Sequence, residues 1–205
     1  MRKTKIIKIK GDWQEVLDDC RFTVGKEPLG KEPSTKFKKD ILIAEHSPIR
    51  GISFKWVWEK IPHWVGVHWV RHKWEKFIRT QREDRAGIPR EELSQTEPQD
   101  FKGEANTQHL IDTERKRLCF MASPETREYG ESLKIEIYNV GEKEISDVLV
   151  PNCIYRCGCP ELNGGCGLFN RLVELYPDMS SIIIQKRYDA YNEWFRKLRE
   201  LKDKE

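Results

Sequence analysis

The sequence predicts an α+β fold, a small antiparallel sheet flanked by helices, and three observations carry that expectation. Residues 4 to 10 (TKIIKIK) and 49 to 60 (IRGISFKWVWEK) alternate apolar with polar side chains and are rich in β-branched and aromatic types, as half-buried strands are. Other segments open on hydroxyl or proline start signals, at Ser34, Pro62 and Ser123, and continue with helical composition. Strand patterns and helix patterns segregate along the chain instead of alternating regularly, which favours helices packed on an antiparallel sheet.

Taken in order, lysines interleaved through 4 to 10 fit an edge strand protected against pairing. Residues 25 to 35 (GKEPLGKEPST) hold two Gly-Lys-Glu-Pro repeats, a loop composition, and Ser34 then caps a helix to about Ala44. The strand over 49 to 60 leads through Pro62 into HWVGVHWVRHKW, where Val65, Trp69 and Lys73 share one helical stripe and His68, Arg71 and His72 another. A helix over 62 to 74 follows from that spacing, then a strand over 75 to 82 and a polar loop over 83 to 104. Asn106 to Cys119 is helical in composition, Ser123-Pro124-Glu125 starts a helix running to about Asn139, and a Gly, Pro and Cys loop comes after Val150. A helix over 184 to 201, with Tyr188, Tyr191, Phe195 and Leu198 as its apolar face, completes the pattern.

A chain of 205 residues suits one core. No apolar run approaches the roughly eighteen residues of a spanning helix, and the N-terminus holds too few apolar residues for a signal peptide, so the expected location is cytoplasmic. Lys plus Arg at 37 against Asp plus Glu at 34 leaves +3, too little for an indiscriminate nucleic-acid coat. Any anion site must be local.

The densest chemistry is His68-Trp69-Val70-Arg71-His72-Lys73, with Arg79, Arg82 and Arg85 after it. Cations at a helix C-terminus favour its dipole without any ligand. Their company gives a second reading: a hydroxyl-bearing turn precedes them, and Asn106 and Arg117 lie on one later helix.

On these residues the sequence resembles the flavin-dependent thymidylate synthases. Arg21-Phe22-Thr23 resembles the family's Arg-x-Ser segment, Glu45-His46-Ser47-Pro48 its His-Thr-Pro or His-Ser-Pro turn, and His68 to Lys73 its Gln-x-x-Arg-His-Arg signature. Asn106 through Leu110, Asp112, Arg117, Ala122, Glu125 and Arg127 to Tyr129 resembles its Asn-x-Arg-Ser-Leu…Arg…Ala-Gln-x-Glu-Ile-Arg block. The resemblance implies a catalytic domain over 1 to 145 and a C-terminal extension over 146 to 205. It implies that Ser47, Arg71, His72, Lys73, Asn106, Gln108 and Asp112 hold FAD. It places Thr23, His68, Trp69, Arg71, Thr80, Gln81, Arg82, Arg90 and Arg117 against the nucleotide, with Arg117 at the pyrimidine ring as the catalytic residue.

Thr80-Gln81-Arg82 fits the family's hydroxyl-x-arginine only with a one-residue deletion after Lys73. An ungapped match would set Glu83 against a phosphate, which is electrostatically costly. The resemblance further implies methylation of dUMP to dTMP, with NADPH and methylenetetrahydrofolate as co-substrates, in a homotetramer with shared sites. Hydroxymethylation of dUMP or a related pyrimidine nucleotide is the alternative on the same scaffold. The shortened segment between the two main blocks fits a phage protein, whose location would be the host cytoplasm.

Cys153-x3-Cys157-x-Cys159-x6-Cys166 lies outside those blocks. Four thiolates at this spacing could hold a structural zinc, and reduced thiols or a disulfide fit as well. With Trp69, Trp74 and Phe77 interleaved among the cations, a zinc-stabilised nucleic-acid binder is the competing reading from another class; the enzyme reading expects no nucleic-acid or membrane partner.

Overall fold

A computed structural model describes residues 3–202, with the side chains of 200–202 left out. Four strands, β1 (Thr4–Lys10), β2 (Ser53–Pro62), β3 (Glu75–Ile78) and β4 (Pro98–Asn106), form one antiparallel sheet in the order β1-β2-β4-β3. Around it lie α1 (Trp13–Phe22), α2 (Thr35–Ile43), α3 (His63–Trp69), α4 (Glu83–Ala86), α5 (Thr107–Arg117), α6 (Pro124–Asn139), α7 (Lys143–Val148), α8 (Asn152–Tyr155), α9 (Leu168–Leu175) and α10 (Ile184–Lys202). The α+β expectation holds. No helix among the described residues is long and apolar enough to cross a membrane.

Along β2, Phe54, Trp56 and Trp58 point inward and are fully buried, while Lys55 on the other face meets Glu104 of β4 at 3.1 Å. The buried face collects an aromatic cluster: Trp58 lies 4.7 Å from Trp69 of α3, 5.2 Å from Phe101 of β4 and 5.4 Å from Tyr129 of α6, centroid to centroid. Aromatic rings supply most of the buried apolar area of such a core. The indole of Trp58 donates to Thr4 Oγ1 at 2.8 Å, so the edge strand β1 is tied in by a satisfied buried hydroxyl.

Most of strand β4 lies in the 83 to 104 segment expected to be a loop. It alternates, with Gln99, Phe101, Gly103 and Ala105 inward, yet aromatic bulk sits at only one of those positions. The volume comes from across the sheet: a Cβ on Gly103 would sit 2.4 Å from Trp56 and 2.5 Å from Trp74, so two indoles fill the space a side chain would take.

Three boundaries also differ. Residues 47–51 form a 3-10 turn before β2, and β3 stops at Ile78. The helix expected over 62 to 74 ends at Trp69, because Val70 closes it and the chain turns into β3, so Lys73 leaves the stripe of Val65 and Trp69. Helix α1 is capped by Asp12, whose side chain accepts from Glu15 N at 2.9 Å. On α10, Tyr188, Tyr191 and Phe195 are buried and Leu198 half-buried, and the apolar residues of α7 to α10 join the same core as the sheet.

Candidate functional site

Helix α5 begins where Asn106 caps it, accepting from His109 N at 2.9 Å. Thr107 Oγ1 donates to Ile52 O at 3.0 Å, which fixes the start of α5 to the start of β2. Leu110, Thr113 and Glu114 then face inward and carry Arg117 to the end of α3. There Arg117 Nε donates to His72 Nε2 at 2.7 Å and Nη2 donates to the carbonyl of His68. The guanidinium also stands 5.8 Å from the Trp69 ring, within cation–π range. Its Nη1 makes no hydrogen bond to another described residue, which leaves one donor edge for a ligand.

The electrostatics follow from this packing. Burial, then Arg117, Lys116 and Lys76, push the His72 imidazole down to about 4. A neutral ring that accepts at Nε2 carries its proton on Nδ1. His68 is lowered by burial and by Arg117 and Arg71, and its Nδ1 lies 2.8 Å from Thr126 Oγ1 of α6. Ser123 Oγ donates to the same Thr126 hydroxyl at 2.8 Å. The neutral His72 ring positions Arg117 as an acceptor, while the His68 ring is anchored on Thr126 and its backbone carbonyl takes the second Arg117 bond.

Beneath Arg117 lies Glu114, fully buried against Gly130 and Trp69, with no hydrogen-bond partner for either carboxyl oxygen. Burial raises it to about 8, with Lys134 and Arg117 pulling the other way. Lys134 is buried too and lowered to about 7 by desolvation; it donates to Asn192 Oδ1 at 2.7 Å and to the Ser146 carbonyl. Glu114 has no part in the expectations drawn from sequence. The stripe through Leu110 and Arg117 at helical spacing was the available signal.

A second group forms around the Ser47 turn. Glu45, at a left-handed φ of 52°, accepts from Gln108 Nε2 at 2.7 Å and pairs with Arg115. Asp112 lies 3.3 Å from Gln108 Nε2 and 3.5 Å from Arg115. Gln108 Oε1 is buried without a partner, an acceptor that a bound molecule could satisfy. Ser47, Arg71 and Lys73 are exposed. A hydroxyl, an amide and cations are donors of the kind that a dinucleotide's pyrophosphate and ring edges take, with Arg71 and Lys73 flanking His72 in the Arg117 group.

Within one chain Gln108 and Arg117 face apart, although Arg115 and Arg117 line one cavity. Gln108 and Arg117 stand nine positions apart on α5, about two and a half turns, so their side chains leave opposite sides of the helix. Thr23, Thr80, Arg82 and Arg90 are exposed and Gln81 half-buried; Thr23 Oγ1 donates to Cys20 O at 2.8 Å, and Arg82 pairs with Asp84 at 3.0 Å. Trp69 needs a correction: its side chain is fully buried, because it packs between Trp58 and Trp74, and it supports the site from below.

Past Arg117 opens a cavity of about 430 Å³ whose lining includes Arg115, Lys116, Arg117, Cys153, Cys159 and Cys166. Of the four cysteines expected from spacing, Cys157 is not part of its wall. Its Sγ turns toward the carbonyls of Met179, Ser180 and Ser181, 3.6–3.9 Å away.

No family model and no curated protein matches this chain. Solved structures do. The UMP/dUMP methylase PolB from Streptomyces cacaoi, bound with 5-Br dUMP, aligns at a TM-score of 0.56 and 11% identity over 71% of this chain and 93% of its own. Thymidylate synthase X (ThyX) from Helicobacter pylori, with FAD and dUMP, aligns at 0.59 and 9% over 71% and 98%. A second structure of the flavin-dependent ThyX from Helicobacter pylori, complexed with FAD and dUMP, aligns at 0.60 and 9% over 72% and 100%. The chain has the fold of the flavin-dependent thymidylate synthases, and more than a quarter of it extends beyond what these neighbours match.

Proposed function

We propose that this protein is a flavin-dependent enzyme of pyrimidine deoxynucleotides, transferring a one-carbon unit to C5 of dUMP to give dTMP. The observation that carries the reading is Arg117, fixed by a neutral His72 and the His68 carbonyl with its Nη1 edge open, on a fold shared with enzymes solved with dUMP.

In this reading Arg117 donates to a carbonyl of the pyrimidine ring and stabilises the negative charge that gathers there as C5 attacks the carbon donor. Such charge stabilisation needs a donor that does not reorient. Fixing Nε on His72 and Nη2 on His68 supplies that rigidity. His68, Arg71, Thr23, Thr80, Gln81, Arg82 and Arg90 face the nucleotide, the arginines taking its phosphate.

FAD is held by Ser47, Arg71, His72, Lys73, Asn106, Gln108 and Asp112, with Gln108 Oε1 accepting from it. When bound and reduced by NADPH, it would supply the hydride that converts the methylene unit taken from methylenetetrahydrofolate into the methyl group. Because the Gln108 and Arg117 sides of α5 face apart, the reading assembles each site from several copies in a homotetramer. The test is turnover of dUMP with FAD, NADPH and methylenetetrahydrofolate, with product identified by mass. dTMP supports the reading, a hydroxymethyl nucleotide redirects the product while keeping the site, and no product on a flavin-loaded protein overturns it.

A further inference from the structure

We propose that Cys119, Cys153, Cys159 and Cys166 form a tetrathiolate site for a structural zinc ion, joining the C-terminal segment to the turn just after Arg117. All four line the same cavity of about 430 Å³, and all are free thiols. They come from three separate places: Cys119 from the turn between α5 and α6, Cys153 from α8, and Cys159 and Cys166 from the loop before α9. Cys119 stands thirty-four positions before Cys153, so no local spacing pattern reveals it.

The loop is built to present sulfur. Gly164, Gly165 and Gly167 have left-handed φ of 86°, 65° and 72°, which side chains rarely adopt. A Cβ on Gly165 would fall 2.4 Å from Cys159 Sγ, so the absence of a side chain there leaves that sulfur its place in the cavity wall. Cys157, on a strained residue with φ of 55°, is turned to the outside. Arg187 secures the base of the assembly by donating to Ile154 O at 2.8 Å and Tyr155 O at 2.7 Å, the carbonyls just past Cys153.

The surroundings favour thiolate over thiol once a cation arrives. Without one, burial and the neighbouring cysteines hold Cys119 and Cys153 protonated, Cys153 up to about 12. Zinc binding releases the four thiol protons to solvent and leaves a complex of two net negative charges. Arg115, Lys116 and Arg117, which line the same cavity, offset that charge. An all-sulfur donor set selects zinc over hard cations such as magnesium or calcium. Among the described residues no group of three or more His, Cys, Asp or Glu is arranged to hold a metal, so loading draws the 157–167 loop inward onto Cys119 and Cys153.

The test uses the full chain, with zinc content by mass spectrometry and Co²⁺ titrated into metal-free protein. About one zinc per chain is expected, with the sulfur-to-cobalt charge-transfer and ligand-field bands of a tetrahedral thiolate site. Cys119→Ser should weaken zinc binding by roughly 100-fold, while Cys157→Ser leaves it unchanged. Cys119→His, which keeps a ligand, should retain Co²⁺ with weakened charge transfer, a change that mere loss of packing would not give. Absence of bound zinc, a disulfide among the four, an iron–sulfur spectrum, or loss of zinc in Cys157→Ser but not Cys119→Ser overturns the proposal. None of these readouts depends on flavin or nucleotide, so this proposal and the enzymatic one fail separately.

Discussion

Replacing Glu114 by Gln removes a titrating group from directly beneath Arg117 while keeping its shape. The carboxyl is fully buried with both oxygens unpartnered, and it is raised from 4.5 to about 8. Between those values the folded chain keeps the proton that the unfolded chain releases, so the unfolded state binds fewer protons and stability falls as pH rises. Each pH unit inside the window costs about 1.4 kcal/mol, so Glu114 removes about 3 kcal/mol of stability between about pH 5 and about pH 7. His72 acts with the opposite sign at the acid end in both proteins, while Lys134, lowered to about 7 by desolvation, is coupled to Glu114, so the difference between wild type and variant reports Glu114 together with its effect on Lys134. Urea unfolding at both pH values is the assay. Relative to wild type, Glu114→Gln should gain about 3 kcal/mol on going from the lower to the higher pH. Equal pH slopes would mean that Glu114 is ionised and paired with Lys134, and a neutral carboxyl beneath Arg117 would have to be abandoned.

Four further outcomes rest on the same geometry. Gly103→Ala forces a methyl into the Trp56 and Trp74 rings and should lower stability by about 1–3 kcal/mol, read by thermal unfolding; an unchanged midpoint would mean that the sheet relaxes freely. Arg117→Ala should lower turnover by at least about 100-fold while FAD stays bound, and full turnover would remove Arg117 from the chemistry. Arg71→Ala should weaken both FAD and dUMP in titration calorimetry, and unchanged affinities would make residues 68 to 73 a structural helix end. The His72 ring should remain neutral by NMR down to about pH 4, its share of stability fading as pH falls from about 6.5 toward that value; protonation near its ordinary value would dissolve the Arg117 contact.

Periodicity made much of this fold legible. The alternation of Phe54, Trp56 and Trp58 and the α10 stripe of Tyr188, Tyr191 and Phe195 are written in residue types and recur as buried faces. Strand β4 was hidden because its inward positions include Gly103, whose volume belongs to the indoles of Trp56 and Trp74. The α3 boundary was hidden because Arg71, His72 and Lys73 continue a helical spacing after the backbone has turned. Within the site, sequence named Arg117, His68 and His72 but not their joining through Nε, Nη2 and the His68 carbonyl, a contact across forty-five and forty-nine positions. Nor did it reach Glu114 or the alliance of Cys119 with the tail, since both depend on which side of a helix or cavity a residue meets. Trp69 shows the converse: a motif residue whose neighbours in space make it core.

The most direct measurement is the visible spectrum of the purified protein after incubation with FAD and desalting, with dUMP then titrated in. An assembled flavin and nucleotide site should give a retained flavin band that shifts and saturates as dUMP binds. A protein that cannot hold FAD, or one whose flavin band ignores dUMP, would contradict the proposed function.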